Sequence, residues 1–233
     1  VDVAEHTPDI DADLEIGGTI SGTVTGDGGP LDGVWIEAYS PELDYWASGY
    51  TDGGGDYVIR ALPEGEYRVW FSTGEYNDMN DTAFLAEYYD DVLAADDATL
   101  VPVQLEQDTP GIDADLAVGG TISGTVTGAG DAPLEYVRVY VLDTQGDVLD
   151  SYRTESDGSW SLRALPPGEY RLAFMPAEHN SEFSQNYVRE FWDDQSAIAA
   201  ANVVTIEYGD VLTGYDAQLA QGGSSIGGTV YES

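Results

Sequence analysis

Sixteen residues, DADLEIGGTISGTVTG (11–26), return almost letter for letter as DADLAVGGTISGTVTG (113–128), and a third start, DAQLAQGGSSIGGTV, begins at Asp216. Repetition at a fixed period constrains the fold more than any other feature, because each copy must be one structural unit stacked on or strung to its neighbours. Displacing the chain on itself by about 102 to 103 residues aligns TDGGGDYVIRALPEGEYRVWF from Thr51 with TESDGSWSLRALPPGEYRLAF from Thr154, and EYYDD from Glu87 with EFWDD from Glu190. The copies differ by one inserted residue near Ala132. Residues 17–118 and 119–221 therefore read as two complete repeats. Residues 1–16 match the last strand of a preceding repeat and 222–233 the first strand of a following one, so the chain reads as a window on a longer array. With no initiator Met and no signal-peptide pattern, processing or excision is expected.

Within each repeat the apolar residues recur at every second position, the period of half-buried strands. In the first copy Ile20, Gly22 and Val24 alternate with Thr and Ser, Val34, Ile36 and Ala38 alternate with Trp35 and Glu37, and Tyr67, Val69 and Phe71 alternate with Arg68 and Trp70. The second copy repeats the inward set as Ile122, Gly124, Val126; Val137, Val139, Val141; and Tyr170, Leu172, Phe174. Turn signals such as GDGGPLDG, TDGGGD and LPEG separate these runs at short intervals. Many short strands in about 100 residues describe an all-β chain of two tandem Ig-like, prealbumin-like β-sandwich domains. FLAEYYDDVLAADDA (84–98) and NYVREFWDDQSAIAA (186–200) have a helical look, so a short helix is expected in each copy.

The order Gly-Thr-Ile-Ser-Gly-Thr-Val, Pro-Leu-x-x-Val, Thr-Asp/Glu-x-x-Gly-x-aromatic and Ala-Leu-Pro-x-Gly-Glu-Tyr-Arg resembles the carboxypeptidase regulatory-like and collagen-adhesin B-type repeats, from about Gly17 to Ala220. The resemblance implies a prealbumin-like sandwich in a secreted or cell-surface protein. It also implies an internal isopeptide crosslink in the adhesin relatives, which needs a Lys amine. This chain has no Lys, so its rigidity must come from another source.

Charge bears on that source. Asp and Glu supply 44 residues against seven Arg, for a formal net charge of -37. Such a chain repels nucleic acid and anionic lipid, and cations are its natural partners. Its 42% hydrophobic content separates it from a disordered acidic tail. An acid-rich, Lys-free surface suits high salt, where screening relieves self-repulsion; a marine or halophilic, extracellular setting is expected. Without Cys there is no disulfide framework, thiol nucleophile or Cys-ligated metal. No apolar run is long enough to span a bilayer.

Calcium takes six to eight oxygen ligands, and the candidate ligands are the repeated acids. Asp11, Asp13, Asp113, Asp115 and Asp216 lie on the final strand of successive repeats, opposite its apolar side chains. Asp90 and Asp91 match Asp193 and Asp194 in the segments with helical character, while Asp52 and Asp56, and in the second copy Glu155 and Asp157, lie in the Gly-rich turn. DIDAD is no EF-hand loop, because Leu14 stands where that loop needs Gly. Turn chemistry or simple solvation also accounts for many of these acids. Arg60 matches Arg163 and Arg68 matches Arg171, making these four the candidate cross-strand or inter-unit contacts. Asn80-Asp81-Thr82 is a sequon that places a glycan acceptor on a loop.

His6 and His179 fall at unrelated positions, there is no Gly-x-Ser-x-Gly elbow, and no His pair has metalloprotease spacing. An enzyme is not expected. The composition and repeats point to a structural segment of an extracellular filament, stalk or adhesin, stiffened by bound calcium and by strand exchange between identical subunits or neighbouring repeats. The alternative is a glycan-binding accessory module of a secreted hydrolase, using Trp35, Trp46 and Trp70 with Tyr45 and Tyr50 as a stacking platform. The corresponding positions in the second copy, Arg138, Leu149, Ala173, Val148 and Arg153, lack it.

Overall fold

The computed structural model describes residues 14–176 and 187–222. By their contacts these divide into two compact units, one of residues 14–80 and 86–116, the other of 81–85, 117–176 and 187–222. His6, His179, Asp11, Asp13 and all but residues 14–16 and 222 of the end strands expected over 1–16 and 222–233 lie outside the described residues.

The first unit contains β1 (Gly18–Gly26), β2 (Gly29–Pro30), β3 (Trp35–Ser40), β4 (Tyr45–Tyr50), β5 (Asp56–Leu62) and β6 (Gly65–Ser72). A helix, α1 (Gly74–Asn80), precedes β7 (Glu87–Tyr88), β8 (Val101–Val103), β9 (Asp108–Thr109) and β10 (Ala114–Leu116). β1 is central to one sheet, antiparallel to β5 on one side and parallel to β9 and then β10 on the other. The second sheet runs β4-β3-β6, with β7 and β8 both on the far edge of β6.

The second unit repeats this plan with β11 (Gly120–Thr127), β12 (Arg138–Leu142), β13 (Val148–Arg153), β14 (Ser159–Leu165), β15 (Gly168–Met175), β16 (Glu190–Phe191), β17 (Val204–Ile206), β18 (Val211–Leu212) and β19 (Ala217–Gln218). One sheet is β14-β11 with β18 and β19, the other β13-β12-β15 with β16 and β17.

The period-two reading places the core. Ile20, Val24, Val34, Ile36, Ala38, Tyr67, Val69 and Phe71 are fully buried, as are Ile122, Val126, Val137, Val139, Val141, Leu172 and Phe174. Each unit's two sheets meet through aromatic pairs at matching positions. Tyr57 on β5 meets Phe71 on β6, and Trp160 on β14 meets Phe174 on β15, both edge-on with centroids 6.0 Å apart.

A buried threonine ties the same corner in both units. Thr51 Oγ1 donates to Leu31 O at 2.6 Å and accepts from the N–H groups of Gly33 and Val34, each at 2.9 Å. Thr154 donates to Leu134 O at 2.6 Å and accepts from Val137 N–H at 2.9 Å. These bonds satisfy loop groups that burial would otherwise leave unpaired.

The helix expected over 84–98 is not there. That segment holds β7, a reversal in which Asp90 and Asp91 take φ of 77° and 60°, and a single 3₁₀ turn at Ala95–Asp97. Its counterpart holds β16, Asp194 at φ 56° and a 3₁₀ turn at Ile198–Ala200. Asp tolerates the left-handed region, so the paired acids act as a strand reversal. Among the described residues the α-helix is α1, upstream of the expected segment. Asn80 ends it, donating from Nδ2 to Tyr76 O at 2.9 Å, so the sequon sits at a helix end rather than in a loop.

Candidate functional site

The repeated sixteen residues build one local device in each unit, at the place where the last strand runs beside the first. The partner of Thr19 is Asp108, and that of Val24 is Ala114, so the final strand carries one extra residue between β9 and β10. Gly111, at φ 77°, supplies the left-handed kink of this bulge, and Gly214 at φ 81° does so between β18 and β19. Beyond the kink, Ile112 O comes so close to Gly22 that a Cβ there would lie 2.1 Å away, and Tyr215 O would lie 2.2 Å from one on Gly124. This close approach, not turn formation, explains the glycine inside each GTISGTV strand. Tyr57 Oη donates to that Ile112 carbonyl at 2.7 Å, and burial pushes its phenol well above the ordinary range.

The bulge leaves one β1 amide without a backbone acceptor, and the next side chain replaces it. Asp113 Oδ1 accepts from Thr23 N–H at 2.8 Å and from Thr23 Oγ1 at 3.0 Å. Asp216 Oδ1 accepts from Thr125 N–H and Thr125 Oγ1, both at 2.8 Å. In the first unit two more acids extend the clasp. Asp108 accepts from Thr19 and Ser21, and Asp115 from Thr25 Oγ1 at 2.8 Å. Val211 and Gln218 occupy those positions in the second unit.

The remaining candidate ligands are also spread over separate structural tasks. Asp52 Oδ1 accepts from the N–H groups of Gly54 at 2.9 Å and Asp56 at 3.2 Å, closing the turn before β5. Asp157 accepts from Ser159 N–H at 3.0 Å, and the Ser159 hydrogen bonds hold its carboxyl below the usual range. Asp90 accepts from Thr99 Oγ1 at 3.0 Å. Asp91, Asp193 and Asp194 lie exposed beside the strand reversals. Among the described residues, no group of three or more His, Asp or Glu converges to hold a metal ion.

Composition alone hides the buried acids. Glu87 on β7, only 6% exposed, is pushed up to about 7 by burial and then by Asp91 and Asp115. Glu190, its half-buried counterpart on β16, is also pushed up to about 7, by burial and then by Asp194 and Asp193. The aligned EYYDD and EFWDD motifs were the available signal, since each puts a Glu three residues ahead of two acids.

The four repeated arginines have different surroundings. Arg163 Nη1 pairs with Asp81 Oδ1 at 2.6 Å. Arg68 reaches fully exposed Asp96 only at 3.7 Å, and the Arg171 guanidinium donates to Thr144 O. Arg60 makes no ion pair among the described residues.

Trp35, Trp46, Tyr50 and Trp70 of the first unit share the outer face of the β4-β3-β6 sheet, and Tyr45 lies on the other face of β4. Trp35 stands opposite Tyr50, Tyr39 opposite Trp46, and Glu37 opposite Trp70. Trp46 and Tyr50 are 60% and 59% exposed. Trp70 instead stacks on Tyr88, with centroids 4.5 Å apart, and Tyr45 Oη donates to Ala61 O at 3.3 Å. The second unit covers the same face with Leu142, Ala173, Phe191 and Ala201, a small outer cluster that strict alternation does not reveal.

Residues 121–190 match the model of the carboxypeptidase regulatory-like domain, in agreement with the motif resemblance over that stretch. No curated protein matches the chain. Among solved structures it is similar to GBS52, the minor pilin of Streptococcus agalactiae, at 15% identity, over 91% of this chain and 99% of that one, with a TM-score of 0.40. It is similar to the shaft pilin spaA from Lactobacillus rhamnosus GG at 12% identity, over 90% of this chain and 99% of that one, with a TM-score of 0.33. The Bacillus anthracis TIE protein shares 16% identity over 88% of this chain, which spans 34% of its length, with a TM-score of 0.35.

Proposed function

We propose that this chain is a structural repeat segment of an extracellular filament, stalk or adhesin, built from tandem prealbumin-like sandwiches. One observation carries the reading. Leu14 is the positional equivalent of Leu116 and Leu219, which are 2% and 1% exposed, yet Leu14 itself is 86% exposed. A leucine written for a core but left in water fits the last strand of a further unit. The clasps support the same role, because they pin each unit's last strand to its first, where the chain passes onward. Exchange of end strands between subunits belongs to this reading.

Calcium enters it as the counter-charge for the acidic surface. Divalent binding along the turn and strand carboxylates would lower self-repulsion and stiffen the array. The test is electron microscopy of native material together with thermal unfolding in calcium, magnesium and sodium at matched ionic strength. Units running end to end in fibres, with calcium raising Tm beyond magnesium, are the expected result. Isolated monomers without any fibre would sink the structural role, and equal Tm values would remove calcium from it.

A second reading rests on the aromatic face. Trp46 and Tyr50 lie on one face of β4, about 13 Å apart at 3.3 Å per residue, and present flat surface on which sugar rings stack. This supports glycan binding by the first unit, as an adhesin surface or as an accessory module of a secreted hydrolase. Retention on polysaccharide resin that Trp46→Ala abolishes is the expected outcome; unchanged retention refutes it.

A further inference from the structure

Residues Asp81–Leu85 belong to the second unit, although the chain on both sides of them belongs to the first. There they act as an added strand. Leu85 N–H donates to Ala117 O and Gly119 N–H to Ala83 O, both at 2.8 Å, and Phe84 faces Val118 in an antiparallel bridge. Arg163 holds Asp81 at one end. Phe84 and Leu85 are 5% and 3% exposed, and a Cβ on Gly119 would lie 2.6 Å from a Leu85 methyl. The strap therefore fills a seat made by a glycine, a strand edge and an arginine.

The first unit carries the same seat. Glu15, Ile16 and Gly17 match Ala117, Val118 and Gly119, and Arg60 matches Arg163. On the far side of the edge the pairing is the same in both units, Glu106 N–H donating to Ile16 O as Gly209 N–H does to Val118 O. On the near side no described residue pairs with Glu15 O or Gly17 N–H. Ile16 is 69% exposed, whereas Val118 is half-buried. The three atoms nearest to a Cβ on Gly17 all belong to the Ala61–Leu62 backbone, whereas the nearest at Gly119 is the Leu85 methyl. Beside this edge lies a groove of about 550 Å³ lined by Ile16, Gly17, Thr19, Val58, Arg60 and Asp108.

We infer that residues 15–17 with Arg60 form an acceptor for a strap of the Asp81–Leu85 kind, an acid followed by two adjacent large apolar residues, supplied by a preceding repeat of the same polypeptide. Leu85 precedes Gly119 by 34 residues, so a donor in the same register stands 34 residues ahead of Gly17. Edge pairing supplies the backbone bonds, the paired apolar residues supply burial, and Arg60 reads the acid. The inference rests on the array reading for its donor, but the acceptor can be tested without any fibre.

Amide hydrogen exchange on the full chain is expected to show Gly119 slow and Gly17 fast. A synthetic peptide of residues 79–88, added at millimolar concentration, should slow Gly17 at least about tenfold. Arg60→Gln should weaken the peptide about fivefold, and an Asp81→Asn peptide should lose nothing further on that variant. Because a short peptide binds weakly, the second measurement uses a chain in which a copy of residues 17–116 replaces residues 1–14, placing the strap in register ahead of Glu15 at high effective concentration. Its Gly17 should then exchange as slowly as Gly119. Fast exchange in that chain overturns the proposal. So does a Gly17 that is slow in the intact chain and becomes fast when residues 1–13 are deleted, or one that slows with protein concentration alone. Those results assign the seat to the chain's own N-terminal segment or to a second copy. Absence of fibres leaves the Gly17 readout unaffected, so the two readings fail separately.

Discussion

Replacing Asp113 with alanine removes the acceptor that the bulge at Gly111 makes necessary. In the native unit its Oδ1 takes Thr23 N–H at 2.8 Å and Thr23 Oγ1 at 3.0 Å. Bonds to a charged acceptor contribute roughly 1.5–3 kcal/mol each when shielded from water. This pair is exposed, so water recovers much of that, and about 2 kcal/mol in total is expected. For a unit of this size the loss corresponds to roughly 10 °C in Tm. Asp113→Asn keeps an oxygen acceptor and should lose about half as much. The informative assay is residue-resolved hydrogen exchange beside thermal unfolding. In Asp113→Ala, Thr23 should exchange faster while Thr125 is unchanged; in Asp216→Ala the pattern should reverse, because Thr125 depends on Asp216 alone at 2.8 Å. Unaltered Thr23 protection in Asp113→Ala, or a Tm within about 1 °C of the parent, would refute the claim that this carboxylate replaces a missing strand bond.

The buried acids predict an unusual pH response. An unfolded Glu titrates near 4.5, whereas folded Glu87 and Glu190 titrate at about 7, so between those values the folded state retains protons that the unfolded chain has released. Their contribution is fully present below pH 4.5 and is lost as pH rises through 7. At about 1.4 kcal/mol per unit, reduced for partial solvent access, Glu87→Gln should stabilise by about 2 kcal/mol at pH 8 and by nothing at pH 4.5; urea melts giving the same difference at both pH values would contradict this. Thr51→Val should cost about 2–3 kcal/mol, because Leu31 O and the Val34 amide lose their buried partner, while Gly33 N–H keeps Thr51 O at 3.1 Å. Thr51→Ser, keeping the hydroxyl, should recover most of it in the same denaturation assay.

Much of the fold is legible from residue order alone, because burial imposes a period on any strand with one wet face. Alternation selected Val34, Ile36, Ala38, Tyr67, Val69 and Phe71, all fully buried. Alternation could not separate a reversal from a helix turn over 84–98, since Ala, Glu and Asp suit both until Asp90 and Asp91 are placed in the left-handed region. It was equally blind to the strap, whose partner strand lies more than thirty residues away in sequence.

Sequence by itself determined where oil and water must lie along each strand, because side-chain direction in an extended backbone follows from parity. It also determined that no amine is available for a Lys-based crosslink. Only the tertiary structure decided what the acids do. Asp113 and Asp216 serve as strand acceptors because a bulge brings each carboxylate to a stranded amide, while Glu87, which has the same chemistry, is pushed up to about 7 by burial. A carboxylate's task depends on distance and dielectric, and neither is written in the order of residues.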